Sequence, residues 1–133
     1  MSDTYIPRGA GRNQLLKTVW FNLDNGAGTT IDDVIGYLSQ PVSIKSGRIV
    51  YVDATTGTVA AGSVAVGTTV GGAELVAATN YENTKTVGSV TALTLKAAAA
   101  LVPAGTMITV RHTGVAVTQA GQAYVALEIV VLS

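Results

Sequence analysis

Residues 122–132 read QAYVALEIVVL, and this stretch decides the fold class of the 133-residue chain. Two sets of side chains alternate along it: Tyr124, Ala126, Glu128 and Val130 in one, and Ala123, Val125, Leu127, Ile129 and Val131 in the other. Because successive side chains of a β-strand point to opposite faces, the alternation predicts a core strand with one wholly apolar face. Residues 106–113 (TMITVRHT) predict another strand, and residues 114–121 (GVAVTQAG) predict a hairpin connection between the two.

Two stretches toward the N-terminus also have the pattern of strands. Residues 41–54 (PVSIKSGRIVYVDA) carry apolar side chains in both registers, which predicts a strand covered on both faces. Residues 32–39 (DDVIGYLS) predict a strand in which Gly36 marks a bulge or a close backbone approach, with a short helical turn as the alternative.

An earlier strand is predicted in residues 15–24 (LLKTVWFNLD). One of its registers is apolar apart from Lys17 and is expected on the core face: Leu15, Val19, Phe21 and Leu23. Trp20 falls in the opposite register, so we expect it to face outward or into an interface.

The middle of the chain is less regular. Residues 58–72 are rich in glycine and predict a long connection that contains a short strand at residues 63–66. Residues 73–79 (AELVAAT) fit either a helical turn or a strand, and residues 80–85 (NYENTK) predict a polar loop. Residues 86–96 alternate as a strand does.

Residues 97–101 (AAAAL) have the composition of a helix. Five residues are too few to nucleate a helix alone, and Pro103 closes the segment. We therefore expect a strand edge or a tight connection there.

Turn residues recur at the spacing of short strands, which predicts an all-β fold. We expect an antiparallel β-sandwich of jelly-roll type or a short β-barrel. Residues 15–133 are assigned to this single β domain, and residues 1–14, which are polar and contain Arg8 and Arg12, to an extended N-terminal arm.

The composition excludes several classes of function. There is no cysteine for a disulfide or a thiolate site, and eight basic residues balance eight acidic ones, so no broad basic field attracts nucleic acid. No apolar run resembles a secretion signal or a membrane helix. Only 12% of residues are charged while 48% are hydrophobic, which favours a homo-oligomer that covers apolar surface.

The sequence contains no combination of residues typical of a catalytic or metal-binding site. His112 is the only histidine, and we expect it to be a structural side chain at the surface or in an interface. No nucleophile elbow or phosphate-binding glycine motif occurs. The acids neither match a calcium loop nor form a visible catalytic pair: Asp24, Asp32, Asp33, Asp53, Glu74, Glu82 and Glu128. We therefore expect no enzyme activity, no metal and no cofactor.

The chain resembles the small β-rich decoration, cement or head-fibre proteins of tailed bacteriophages. The resemblance rests on residues 5–12 (YIPRGAGR), the charge-poor Val, Thr, Gly and Ala body, residues 41–57 (PVSIKSGRIVYVDATTG), and residues 102–110 (VPAGTMITV) with 123–131 (AYVALEIVV). It covers nearly the whole chain.

This resemblance implies a homotrimer on the outer surface of a virion, made in the host cytoplasm, that binds the major capsid protein and reinforces contacts between its subunits. The arm would contact the capsid, with Tyr5, Ile6 and Pro7 as apolar anchors and Arg8 and Arg12 against acidic surface. Neither nucleic acid nor a membrane is expected as a partner.

The alternative is a carbohydrate-binding or host-attachment β-sandwich module. Tyrosines in predicted loops and the single tryptophan motivate it, since aromatic rings form sugar platforms. Trp20 and Tyr81 are therefore the candidate residues for an interface or a ligand, against the simpler possibility that most aromatic side chains fill the core.

Overall fold

A computed structural model describes residues 13–56, 59–116 and 120–132, which form two antiparallel β-sheets packed together. The strands are β1 (Asn13–Lys17), β2 (Phe21–Asn22), β3 (Thr30–Tyr37), β4 (Val42–Thr56), β5 (Ser63–Gly67), β6 (Val76–Asn80), β7 (Val90–Ala92), β8 (Met107–Thr113) and β9 (Ala120–Val131). Two short 3₁₀ helices lie between them, at Val59–Ala61 and Ala97–Ala100.

The strand pairing is nested. The first sheet has the order β1-β9-β4-β7, with β2 also paired to β9, and the second has the order β3-β8-β5-β6. If β1 and β2 are taken as one interrupted edge strand, the first strand pairs with the last, β3 with β8, β4 with β7, and β5 with β6. This arrangement is a jelly roll, so the predicted sandwich is confirmed and the described strands do not form a closed barrel.

The centre of the first sheet supplies much of the core. Strand β9 lies between β1 and β4, and its inward side chains are fully buried: Ala123, Val125, Leu127, Ile129 and Val131. Burying a valine, leucine or isoleucine side chain stabilises the fold by about 1.5–3 kcal/mol. The alternation in residues 122–132 thus identified the correct core face.

Strand β3 carries the bulge expected at Gly36. It pairs with β8, and the register shifts between Val34 and Gly36. The shift turns Tyr37 to the outside, where 67% of its surface is exposed.

The predicted hairpin at residues 114–121 is wrong. Strands β8 and β9 belong to different sheets, so the chain crosses the sandwich between them. Gly114 and Val115 are held by the connection between β2 and β3: Val115 N–H donates to the carbonyl of Leu23 at 2.7 Å, and Gly114 N–H to that of Thr29 at 2.8 Å. Local sequence could not distinguish this crossover from a hairpin, because both need the same turn residues.

The predicted core register of residues 15–24 is also wrong in its first half. Leu16 and Thr18 are buried, whereas Leu15 and Val19 are exposed, and the pattern changes phase before Phe21. Strand β1 also begins at Asn13, so residues 13 and 14, which the sequence assigns to the arm, belong to the sheet.

The remaining segments agree in part with expectation. Residues 76–80 are a strand, which settles the ambiguity at residues 73–79, but only Val90–Ala92 is a strand within residues 86–96. The alanine run, expected to be a strand edge or a tight connection, forms a short 3₁₀ helix of four residues. No helix in the described part of the chain is long and apolar enough to cross a membrane.

Candidate interaction surface

Val19 and Trp20 are two adjacent apolar residues whose side chains are both strongly exposed on the described surface. They lie in the break between β1 and β2, where 77% of Val19 and 59% of Trp20 is accessible. Thr18 causes the break: its N–H donates to the carbonyl of Val125 at 3.0 Å, and its hydroxyl accepts the N–H of Val125 at 3.1 Å. Thr18 therefore satisfies both backbone hydrogen-bonding groups of Val125. The side chains of the next two residues, Val19 and Trp20, are displaced outward, as in a β-bulge.

A groove of about 440 Å³ runs beside Val19 and Trp20 on the outer face of the first sheet. We call it the Trp20 groove; it is lined by Lys17, Thr18, Val19, Trp20, Val52 and Tyr124. The ammonium of Lys17 lies 5.7 Å from the centre of the Tyr124 ring, which keeps one side of the groove positively charged. The groove thus offers aromatic and apolar walls with one basic rim.

A second, smaller pocket of about 290 Å³ lies on the other side of Val19. We call it the edge pocket, because it opens between β2 of one sheet and β3 of the other; it is lined by Val19, Phe21, Asn22, Asn25, Ile31, Asp33 and His112. Val19 lines both cavities, so the Trp20 groove and the edge pocket form one continuous uneven surface.

His112 lies in the wall of the edge pocket but is only 2% exposed. Its ring stacks on Phe21 with centroids 3.9 Å apart and planes 7° from parallel. Burial lowers the pKa of His112 below its usual value, although the carboxylates of Asp33 and Asp32 act in the opposite direction. The predicted surface or interface position of His112 is wrong, because the side chain points between the sheets.

Tyr81 is likewise inaccessible, with 1% of its surface exposed. Its ring lies 6.5 Å from that of Phe21 and against Gly62, where a Cβ atom would come within 2.7 Å of it. Burial raises the pKa of the Tyr81 hydroxyl strongly. We expected a loop tyrosine available to a ligand; the structure corrects this, and Tyr81 fills the core.

The two adjacent aspartates, Asp32 and Asp33, point to opposite sides of β3. Arg111 on β8 donates two hydrogen bonds of 2.8 Å to Asp32, and these bonds lower the pKa of the Asp32 carboxyl. Asp33 instead lines the edge pocket. The same strand therefore carries a neutralised carboxylate on one face and a second carboxylate at a cavity.

The three glutamates are held by separate neighbours. Glu74 accepts from the Thr68 N–H and the Thr69 hydroxyl, Glu82 from Thr91, and Glu128 from Ser46. No group of three acidic or histidine side chains in the described ranges is placed to hold a metal ion.

The five arm residues proposed as capsid contacts, Tyr5, Ile6, Pro7, Arg8 and Arg12, lie outside the described residues. Trp20 is placed as predicted, on an exposed surface. The edge pocket was missed, because its walls come from residues 19–33 and from His112, which only the nested pairing of strands brings together.

Comparison with known proteins found similarity in structure alone. No protein-family model and no curated protein sequence matches the chain. A chain from the capsid asymmetric unit of cyanophage Pam1 matches with a TM-score of 0.62 and 14% identity, over 99% of this chain and 94% of that one. A chain from the capsid of Ralstonia phage GP4 matches with a TM-score of 0.59 and 20% identity, over 99% and 92%. The protein therefore has the fold of these two phage capsid chains.

Proposed function

We propose that this protein is a structural component of a bacteriophage virion, which binds the outside of the capsid and reinforces contacts between major capsid subunits. The observation that carries the proposal is the extent of the two structural matches. Each covers almost all of this chain and almost all of the matched capsid chain, so the matched chains are about as long as this one. The likeness thus concerns whole chains of similar size and not a common domain within a larger protein.

The Trp20 groove supports a role in assembly. A chain with so few charges exposes a tryptophan and a valine side by side, next to a groove with an aromatic wall. Exposed apolar patches of this kind mark contact surfaces, and tryptophan is enriched among the residues that dominate binding energy. We propose the Trp20 groove as a contact with capsid protein or with another copy of the chain.

The arm is the second proposed contact. Residues 1–14 contain the apolar anchors Tyr5, Ile6 and Pro7 and the basic residues Arg8 and Arg12, which suit a partly acidic capsid surface. A homotrimer would present three such arms, and linked contacts raise the effective affinity of each. Because the protein binds only the assembled shell, its binding stabilises that shell by mass action, and no catalytic chemistry is required.

Heating of virus particles tests this function. Particles of the phage that encodes the chain would be prepared with and without it, and release of DNA followed as the temperature rises. We expect particles without the chain to open at a lower temperature, and purified protein added back to restore the wild-type transition. A variant lacking residues 1–12, which keeps β1 intact, should restore it poorly. Equal stability of both particles would exclude the reinforcing role.

Carbohydrate binding is a second candidate, because the Trp20 groove combines Trp20 and Tyr124 with the cationic Lys17. Aromatic faces beside polar side chains are suited to stacking on a sugar ring. Screening the purified protein against an array of glycans would test this. Specific binding that is lost in Trp20→Ala would favour attachment to a host surface over reinforcement, and absence of binding to all glycans would exclude it.

A further inference from the structure

The edge pocket is lined by the carboxylate of Asp33, for which the described residues supply no basic partner. Asp32 is neutralised by Arg111 through two hydrogen bonds. In the described part of the chain, no lysine or arginine forms an ion pair with Asp33, which faces the cavity from the next position along β3. A partly buried carboxylate favours a cation beside it, since moving it away from water without one is costly.

Two further residues of the same pocket have unused hydrogen-bonding capacity. Both polar atoms of the Asn25 amide and Nδ1 of His112 are buried, and among the described residues none of the three has a hydrogen-bond partner. Each such group destabilises the fold while it stays unsatisfied. The pocket thus presents the Asp33 carboxylate, while these three unpaired atoms are buried behind its wall.

The chain is built to keep Asn25 at this position. Gly114 packs directly against it, and a Cβ atom at residue 114 would lie only 1.5 Å from the Asn25 Oδ1 atom. The hydrogen bond from the Gly26 N–H to the carbonyl of Val115, at 2.9 Å, fixes the backbone next to it. The unpaired amide is therefore held by the crossover between the sheets and does not belong to a freely moving loop.

The size and walls of the pocket indicate the shape of the ligand. A volume of about 290 Å³ is at the lower end of the range for small-molecule sites, so it suits a single long side chain. Val19 and Ile31 supply exposed apolar walls for methylene groups, and Asp33 supplies a carboxylate. Arginine combines a long apolar stem with a planar cation that has five N–H donors.

We infer that the edge pocket receives an arginine side chain from a partner protein, with its guanidinium donating to the carboxylate of Asp33. This inference rests on the proposed assembly function and names the chemistry that the partner presents there. In this assignment the edge pocket selects a cation, whereas the apolar surface of the Trp20 groove is buried by a partner.

The test uses N-acetyl-arginine-methylamide as the probe. The citrulline compound, in which a neutral urea replaces the guanidinium, is the matched control. Each would be titrated into the ¹⁵N-labelled full chain and followed by amide NMR. We expect the arginine compound alone to shift the Asn25 side-chain amide and the backbone signals of Ile31 and Asp33. Asp33→Asn should weaken its binding about tenfold or more, because it removes a charge-assisted hydrogen bond.

Asp53→Asn is the control variant, since Asp53 is an exposed carboxylate on β4 away from the pocket, and it should bind like wild type. Equal binding of the arginine and citrulline compounds, or no loss in Asp33→Asn, would overturn the inference. So would the absence of any shift at the pocket, which would then hold ordered water only.

Binding to capsid shells separates this inference from the proposed function. If the wild-type chain and Asp33→Asn bind shells equally well, the arginine assignment is wrong and the structural role stands. If the arginine compound binds the pocket but the wild-type chain binds no shell, the structural role is wrong and the pocket assignment stands.

Discussion

Replacing Trp20 with alanine should weaken binding to the partner and leave the fold almost unchanged. The side chain is 59% exposed, so it contributes little to the core of the free chain. A tryptophan side chain buries up to about 250 Å², so about 150 Å² is still accessible to a partner. At about 25 cal/mol/Å², covering that area is worth up to about 4 kcal/mol, and interface residues of this type typically contribute at least about 2 kcal/mol. We therefore expect the dissociation constant to rise between about 30-fold and about 700-fold.

The assay is a titration of purified protein onto particles that lack it, with bound and free chain separated by sedimentation. Tyr37→Ala is the matched control, because Tyr37 is an aromatic side chain of similar exposure at the outer face of β3. Urea unfolding of Trp20→Ala should agree with wild type within about 0.5 kcal/mol. Unchanged affinity in Trp20→Ala, or an equal loss in Tyr37→Ala, would show that the Trp20 groove is not the contact.

Three further predictions concern stability, each read from urea unfolding. Burial lowers the pKa of His112 below its usual 6.5, so the unfolded chain binds the proton more readily than the folded chain does. The free energy of unfolding should therefore be highest above about pH 6.5 and fall as the pH drops below it. His112→Gln should reduce this pH dependence. A pH profile of His112→Gln as steep as that of wild type would contradict this. Gly62→Ala should cost about 1–3 kcal/mol, since its Cβ would lie 2.6 Å from the backbone oxygen of Thr113 and 2.7 Å from the Tyr81 ring; a neutral result would mean that both neighbours move away easily. Thr91→Val should cost about 1–3 kcal/mol, because the buried hydroxyl bonds Tyr51 at 2.7 Å and also Glu82, and an unaffected midpoint would show these bonds to be dispensable.

The sequence predicted the strands in which buried and exposed side chains alternate without interruption. Strand β9 is buried on one side along its length, so strict alternation revealed it. The sequence did not reveal the break at Thr18. A bulge shifts the alternation of inward and outward side chains by one residue, and the run still looks continuous in the sequence. The core face of residues 15–24 was therefore misassigned although the strand itself was recognised.

Contacts between distant residues account for the other errors. Tyr81 lies in the polar sequence NYEN and was expected in a loop, but Phe21 and the missing side chain of Gly62 create a space for it in the core. The crossover between β8 and β9 and the edge pocket both depend on which strands are paired. Local propensity contains no information about such pairing.

A cryo-electron microscopy comparison of particles with and without this chain tests the central claim most directly. We predict difference density outside the shell, of a size matching copies of a 13.5 kDa jelly roll, that bridges neighbouring major capsid subunits, with the Trp20 groove turned toward a protein neighbour. Difference density inside the shell or on the tail, or identical maps of the two particles, would contradict the account.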